Sequence, residues 1–383
     1  MNPKFKIAAY IYPQALRMPT GVSMLTLNMM RVLSRNPDVD LCLLASADEL
    51  EDGGTMPPEL DFAGIPVVPL PWKRSAREAL WLGTNCPAIE RYVPSDYWIY
   101  CSMETFIPAR RCKRVVTVHH LEPRAAASAL SLQAVRQWRQ DFRLRKALQT
   151  ADLVVAQSAF TAREVVAQHH VSGARIAVVG SGVTEEYFGV PNNQDLDSLV
   201  PDFAPYVLVT GAMDKRKGTD YLLDLGRFLA RCNSRIKIVC TAGLYGSPDY
   251  IAAARALPNM VLLNFVTRQE MLAHFKKAIA LIFLSRLEGF GLPLVEAMAS
   301  GLPVIATGNS AIPETLAGAG VLVKPENPQQ VADEIRRLQE DQNYRTELIG
   351  KGFTRARNFT WDACMRRLLA GITTISQANL EAV

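Results

Sequence analysis

The sequence predicts an α/β protein made of two successive doubly wound, parallel-sheet domains. Three observations predict this. At 383 residues the chain exceeds one ordinary domain and suits two of about 150–200 residues each. Short, nearly continuous apolar runs alternate with longer stretches of helical period, the pattern of parallel strands buried on both faces. The alternation pauses at a polar, proline-containing stretch over 189–205 (GVPNNQDLDSLVPDFAP) and then restarts, which marks an interdomain linker.

Strands are expected in the first half at 6–12 (KIAAYIY), 39–45 (VDLCLLA), 96–102 (DYWIYCS), 114–120 (RVVTVHH), 152–158 (DLVVAQS) and 175–182 (RIAVVGSG). Helices fall between them, notably at 23–35 and 130–148. In the second half the strands are 206–211, 235–243, 260–265, 278–285, 303–307 and 320–324, with a helix over 219–232 among those between. Amphipathic helices near 328–349 and 360–377 close the chain. The second carries Trp361, Met365, Leu368 and Leu369 on one side and is suited to pack back across both domains. The domains are therefore placed at 1–190, completed by 360–383, and at 203–358, with ligands expected at the carboxyl ends of the strands.

Composition narrows the function. Apolar content of 49% and a charged fraction of 21% describe a well-packed globular chain, and the net charge of +5 does not argue for nucleic acid. No apolar run approaches the ~18–20 residues of a membrane span. The N-terminal MNPKFKIAAYIYPQ reads as a first core strand, because its apolar stretch is too short for a signal peptide and Tyr10, Tyr12 and Pro13 interrupt it. Seven scattered cysteines without a CxxC pair suit reduced thiols in the cytosol. Neither GxGxxG after the first strand nor GxxxxGK[ST] is present, so neither a dinucleotide fingerprint nor a P-loop is expected.

The informative segment is 287–307, LEGFGLPLVEAMASGLPVIAT. Pro293 fits the first position of a helix and steers Leu292 out of the helical region. Gly301 suits a left-handed stop, and Pro303 prevents continuation. The expected order is strand, glycine loop, helix of about two turns, strand. Gly289 and Gly291 remove side chains where a ligand could approach the backbone. The helix N-terminus behind them offers unpaired N–H groups and about half a positive charge, a site for phosphate. Glu288 lies in the loop and Glu296 in the first turn, so two carboxylates flank that site. Acids beside a phosphate are useful when they accept hydrogen bonds from hydroxyls, which together describes a sugar nucleotide. After the strand at 206–211, Arg216 and Lys217 stand in a loop before a helix, where two cations would face a departing diphosphate.

These residues resemble the E-x7-E signature of the retaining glycosyltransferases of family 4, group 1 glycosyltransferases of GT-B fold. The matching run is Glu288–Pro293 through Glu296–Ala299, with Gly301 and Pro303. The resemblance implies two Rossmann-like domains with an interdomain cleft and a C-terminal crossover helix. It implies that Glu296 binds the nucleotide ribose, Glu288 contacts the donor sugar, and the amides of Gly289, Phe290, Gly291 and Leu292 meet phosphate and sugar. Lys217 matches the family's lysine. Ala212, the residue after Gly211, stands where an arginine is usual, and Arg216 resembles the arginine of a variant in which the pair is adjacent. In TGVSMLTLNMMRVLSR, Gly21 resembles the glycine near the diphosphate. In VVTVHHLEP, His119 matches a histidine that contacts the donor sugar, followed by His120 where Asp is common. Ser158 is placed near the cleft, and Ala311–Glu314 resemble a loop that shapes the base and ribose pocket. Ser181–Gly182–Val183–Thr184 replaces an Asn-Gly-Val-Asp pattern and is given no catalytic role.

The activity so implied is metal-independent transfer of a hexose, with retention, from a GDP- or UDP-linked donor and without a cofactor. The acceptor is a glycan or a lipid-linked saccharide, and bacterial surface polysaccharide or lipopolysaccharide assembly fits best. Mannose is the first guess, before glucose, rhamnose or N-acetylglucosamine. A sugar-nucleotide epimerase or another enzyme on the same scaffold, and a non-catalytic binding protein, are the alternatives. Residues 108–146 hold ten cations against Glu122 and Asp141, with Trp138 and Phe142 among the later arginines. That excess suits either a solvated face or contact with anionic lipid on the inner face of the plasma membrane, and nucleic acid is not expected.

Overall fold

The structure, a computed structural model, describes residues 4–17, 20–51, 54–57, 60, 62, 64–121, 132–188, 196 and 198–381. It divides into two compact units, Met1–Gly182 with Trp361–Val383, and Val183–Thr360. The first contains β1 (Phe5–Tyr10), α1 (Pro13–Leu16), α2 (Gly21–Ser34), β2 (Val39–Ser46), β3 (Val67–Leu70), α3 (Arg74–Thr84), β4 (Trp98–Cys101), β5 (Arg114–Val118), α4 (Leu132–Thr150), β6 (Leu153–Ala156), α5 (Ala159–His169) and β7 (Ile176–Val178). The second contains β8 (Tyr206–Thr210), α6 (Thr219–Arg231), β9 (Lys237–Thr241), α7 (Pro248–Arg255), β10 (Met260–Leu262), α8 (Arg268–Lys277), β11 (Leu281–Phe283), α9 (Leu292–Ala299), β12 (Val304–Thr307), α10 (Ile312–Leu316), β13 (Val321–Val323), α11 (Pro328–Glu340) and α12 (Gln342–Ala356). The chain then returns to the first unit as α13 (Trp361–Glu381).

The strand orders are β3-β2-β1-β4-β5-β6-β7 and β10-β9-β8-β11-β12-β13, with parallel pairing throughout both sheets. Strand alternation explains the continuous apolar runs. Ile7, Ala9 and Ile11 enter the core on one face of β1, while Ala8, Tyr10 and Tyr12 enter the core on the other. Likewise Leu208 and Val207 point into opposite cores of the second sheet. In each sheet the order reverses beside the first strand, between β1 and β4 and between β8 and β11. Crevices for ligands form at the carboxyl ends of such reversals.

Three expectations are revised. Strand β3 was not foreseen, because Pro69 interrupts its apolar run. It lies at the sheet edge, where proline removes no needed ladder bond. The first unit ends at Gly182 and not near 190. Val183 and Tyr187 are buried in the second unit's core, and the Val183 N–H donates to the Phe359 carbonyl at 2.9 Å. Of the linker, 189–195 and 197 lie outside the described residues, and Phe203 at its end packs edge-on against Tyr206. The α13 helix buries Cys364, Met365, Leu368, Leu369 and Ile372 beside Met29, Met30 and Leu33 of α2, within the first unit. All seven cysteines are free. Among the described residues no helix is long and apolar enough to cross a membrane.

Candidate active site

In the second unit the loops leaving β8 and β11 meet at the strand-order reversal. Gly211 follows β8 with φ +106, and Met213 bridges to Gly246 in the next loop. Asp214 organises the turn. Its carboxylate accepts the Lys217 N–H at 2.7 Å, and its carbonyl accepts the Thr219 hydroxyl at 2.8 Å. Gly218 closes the turn at φ +72. A Cβ there would stand 2.1 Å from the Leu284 carbonyl oxygen, so only glycine lets the turn lie flat on the end of β11. Arg286 fastens the second loop to the first. It donates to both Asp220 carboxylate oxygens, at 2.5 and 2.6 Å, and to the Lys215 carbonyl at 2.9 Å.

That frame brings Arg216 and Lys217 to Glu288. Lys217 Nζ lies 2.7 Å and Arg216 Nη1 3.7 Å from Glu288 Oε1, and Arg216 also donates to the Leu287 carbonyl. Glu288 is buried, its N–H donates to Ser310 Oγ at 2.9 Å, and its carbonyl accepts from Ala311 N–H. Burial alone would push the carboxyl up, but the charges of Lys217 and Arg216, with hydrogen bonds from Lys217 and Ser285, hold it below its ordinary value. Glu288 is therefore ionised at neutral pH and paired before any ligand arrives.

The glycine loop leads into α9 with Gly291 as its N-cap at φ +87. Leu292, not Pro293, is the first helical residue, and Pro293 sits second. The left-handed Gly291 starts the helix one residue before the proline, so Leu292 is not excluded from it. Glu296 consequently lies in the second turn, and the first turn holds no acid. Glu296 is partly buried against Tyr187 and Arg268. Its carboxyl rises to about 7 through burial, opposed by a hydrogen bond from the Tyr187 hydroxyl and by the Arg268 charge. Arg268 also pairs with Glu186 at 2.9 Å, bonds the Thr184 hydroxyl and lies 5.3 Å over the Tyr187 ring.

The other expected residues fall into distinct roles. The Phe290 side chain belongs to the core, edge-on to Phe359 at 5.3 Å, so its side chain does not face a ligand; its carbonyl accepts from Thr315. Leu292 packs partly buried against the same core. The expected loop over Ala311–Glu314 is instead Ala311 followed by the start of α10, and the Ala311 N–H ties it to the Glu288 carbonyl. In the first unit, His119 follows β5, its N–H donating to Glu104 at 3.0 Å and its Nε2 lying 2.8 Å from the Ser102 carbonyl. A carbonyl only accepts, so Nε2 carries a proton and donates. Gly21 is the first residue of α2, capped by Thr20, and a Cβ there would meet nothing within 4 Å. Packing does not require glycine at that position. Ser158 is spent capping α5, accepting the Thr161 N–H at 3.0 Å, and does not present a free hydroxyl to a ligand.

Comparison with known proteins decides the family. Residues 193–355 match the model for glycosyl transferases group 1, and residues 19–187 match that for glycosyltransferase family 4. The chain is a group 1 glycosyltransferase. It is 23% identical over 288 residues to the O-antigen chain mannosyltransferase B of Escherichia coli, covering 73% of this chain and 75% of that protein. It is 30% identical over 237 residues to a D-inositol 3-phosphate glycosyltransferase of Catenulispora acidiphila, covering 57% of this chain and 56% of that one. In fold, the glycosyltransferase resembles Anabaena HepE solved with UDP and glucose, at TM-score 0.69 and 18% identity over 96% of this chain and 99% of that one. It is also similar to a glycosyltransferase of Rickettsia africae, at TM-score 0.70 and 17% identity over 97% and 98%. The fold is GT-B.

Two residues packed against the candidate site's Glu296 were not picked out in the sequence. Tyr187 lies in GSGVTEEYF, where no role was assigned, and Arg268 opens a helix whose only local signal is the Thr267–Glu270 capping box. Neither motif says which carboxylate it will meet. Among the described residues no three His, Cys, Asp or Glu side chains gather as a metal site.

Proposed function

We propose that this glycosyltransferase moves a hexose, mannose first, from a GDP- or UDP-linked donor to a hydroxyl of a glycan or lipid-linked saccharide. The anomeric configuration is retained, and the setting is bacterial surface polysaccharide or lipopolysaccharide assembly at the inner, cytoplasmic face of the plasma membrane. One observation carries it: Arg216, Lys217 and Glu288 converge where the β8 and β11 loops meet, beside the glycine-opened start of α9. Two cations and the positive end of the α9 dipole suit a diphosphate, and acids on either side suit hydroxyls. The mannosyltransferase relative of Escherichia coli supports the choice of sugar.

In the proposed reaction the C1–O bond to the diphosphate breaks as a C1–O bond to the acceptor forms on the same face. The acceptor's proton leaves with the nucleoside diphosphate. Arg216, Lys217 and the helix N-terminus stabilise the charge that builds on the leaving group, without a metal. Gly211 and Gly21 leave room at the diphosphate, as does Gly289, while Gly291 supplies the left-handed N-cap that opens α9, with amides of Phe290 and Leu292 beside them. Glu296 takes the ribose hydroxyls, and Glu288 and His119 Nδ1 take those of the sugar.

The test is calorimetric titration of GDP-, UDP-, dTDP- and ADP-sugars in the presence of a chelator, followed by NMR of the product's anomeric proton. Binding of one nucleotide series, lost in Glu296→Ala and Lys217→Ala, is expected. Wild-type affinity in both variants would remove the site assignment, and an inverted product would remove retention.

A further inference from the structure

We infer that the outer surface of the α3–α4 layer, residues 72–84 and 138–145, docks on an anionic lipid surface. The two helices pack on one face of the first sheet, with Trp81, Ala147 and Leu148 in a common core. Two ties fix them side by side. Arg143 Nη2 donates to Glu78 Oε2 at 2.8 Å, and Lys146 Nζ donates to the Leu82 carbonyl at 2.7 Å. These ties make the helices run the same way, and they set Trp138 toward the start of α3.

The surface so formed is apolar where a solvated face would not be. Trp138 is 66% and Phe142 44% exposed, and their rings stack at 5.7 Å. Trp72 is 55% and Leu80 37% exposed on the neighbouring helix and its lead-in. The other three tryptophans are buried, at 8% exposure or less. Around this patch Lys73, Arg139 and Arg145 are exposed. Asp141 is the sole carboxylate of 138–150 and is partly buried. Amphipathic aromatic rings ringed by cations match the boundary between headgroups and acyl chains, where each part finds its own phase.

The structure also sorts the basic stretch. Arg114 faces Asp152, Arg143 is paired with Glu78, and Lys146 is bound to a backbone carbonyl, so these three do not carry the contact. Glu122, Arg124 and the side chain of Arg136 lie outside the described residues. Arg110, Arg111 and Lys113 precede β5, outside these two helices, so on this surface the docking charge resides on Lys73, Arg139 and Arg145. The inference rests on the proposed function only in that a lipid-linked acceptor would be met at such a surface.

The full chain is tested by co-sedimentation with vesicles of phosphatidylcholine alone or mixed two to one with phosphatidylglycerol. Binding to the mixed vesicles alone, falling as salt rises, is expected. Each cation near an anionic surface is worth about fivefold in partitioning, so Arg139→Glu with Arg145→Glu should lower it more than about a hundredfold. Trp138→Ala should lower it about tenfold. In Trp72→Phe, Trp138 is the one exposed tryptophan, and its emission should move to shorter wavelength with the mixed vesicles. Equal partitioning to both vesicle types, or an unmoved emission, would overturn the inference. So would a concentration-dependent dimer abolished by Trp138→Ala, which would give this face to a second copy. Sugar-nucleotide affinity, measured on the same variants, should equal that of the wild type. Vesicle binding by a chain that binds no sugar nucleotide would remove the proposed function and leave this inference standing.

Discussion

Lowering the pH from about 8 to about 6 is expected to weaken sugar-nucleotide binding about tenfold, chiefly through Glu296. Burial raises that carboxyl to about 7, against the pull of the Tyr187 hydroxyl and the Arg268 charge. On the proposed reading Glu296 accepts hydrogen bonds from two ribose hydroxyls, which the carboxylate does and the acid does poorly. With one proton competing, apparent dissociation constants scale as one plus the ratio of acid to carboxylate. That factor is about 11 at pH 6 and about 1.1 at pH 8, a ratio of about ten. The facing groups do not blur the window. The Tyr187 hydroxyl is pushed up and stays neutral, and His274 on the same helix as Arg268 is pulled down to about 4. The ligand must be a sugar nucleotide, because a free nucleoside diphosphate has a terminal phosphate that itself titrates near about pH 6.

The same shift sets the sign of a stability effect. The folded value stands above the ordinary 4.5, so the folded state holds the proton more tightly. That contribution is complete below about pH 4.5 and is lost as pH rises through about 7. Glu296→Gln removes the loss. At pH 8 the ligand-free variant should be more stable by about 1–3 kcal/mol, several degrees in Tm, with little change near pH 5. Its sugar-nucleotide affinity should nevertheless fall at pH 8. Calorimetric titrations across the pH range check both. A flat affinity between pH 6 and 8, or wild-type binding by Glu296→Gln, would refute the reasoning.

Tyr187→Phe should raise the midpoint of that pH dependence by about one to two units, the worth of one hydrogen bond to a charged group; calorimetry over the same range measures it. Lys217→Met leaves Glu288 with Arg216 at 3.7 Å as its remaining cation in the cluster and should cost about 2–4 kcal/mol in thermal unfolding. Adding Glu288→Gln should recover most of that, while steady-state turnover stays down by about a hundredfold or more. Gly218→Ala, forced against the Leu284 carbonyl at positive φ, should lose more than about 2 kcal/mol. Gly21→Ala should unfold within about 0.5 kcal/mol of the wild type, because its Cβ meets nothing, yet bind donor more weakly if the diphosphate lies there.

The strands were legible because parallel sheets buried on both faces leave unbroken apolar runs, and every expected run contains a strand. The exception, β3, shows what the pattern cannot register: an edge strand tolerates Pro69, so its sequence need not look like a strand. The position of Glu296 was misjudged for a related reason. Proline marks a helix start in a sequence, but a left-handed glycine opens this helix one residue earlier and places the acid in the second turn. Glu288 and Lys217 were legible as separate signals on loops 71 residues apart, but their pairing depends on Asp214, Gly218 and Arg286 folding one loop onto the other. Tyr187 lay beyond reach. Its chain segment reads as the end of the first domain, and only tertiary packing hands it to the second unit and to Glu296.

The pairing of Glu288 with two cations bears on how the proposed chemistry is divided between binding and catalysis. The three side chains carry a net single positive charge, and the start of α9 adds about half a charge more. A sugar-linked diphosphate carries two negative charges, so the resting cluster does not fully neutralise it. As the C1–O bond breaks, the departing diphosphate gains a third. The attraction therefore grows along the reaction, and interactions that strengthen toward the transition state are those that raise turnover instead of only holding the substrate. Glu288 serves this in two ways. It restrains the ground-state pull on the donor, and through its 2.7 Å bond it keeps Lys217 in place, so that little reorganisation remains when the charge appears.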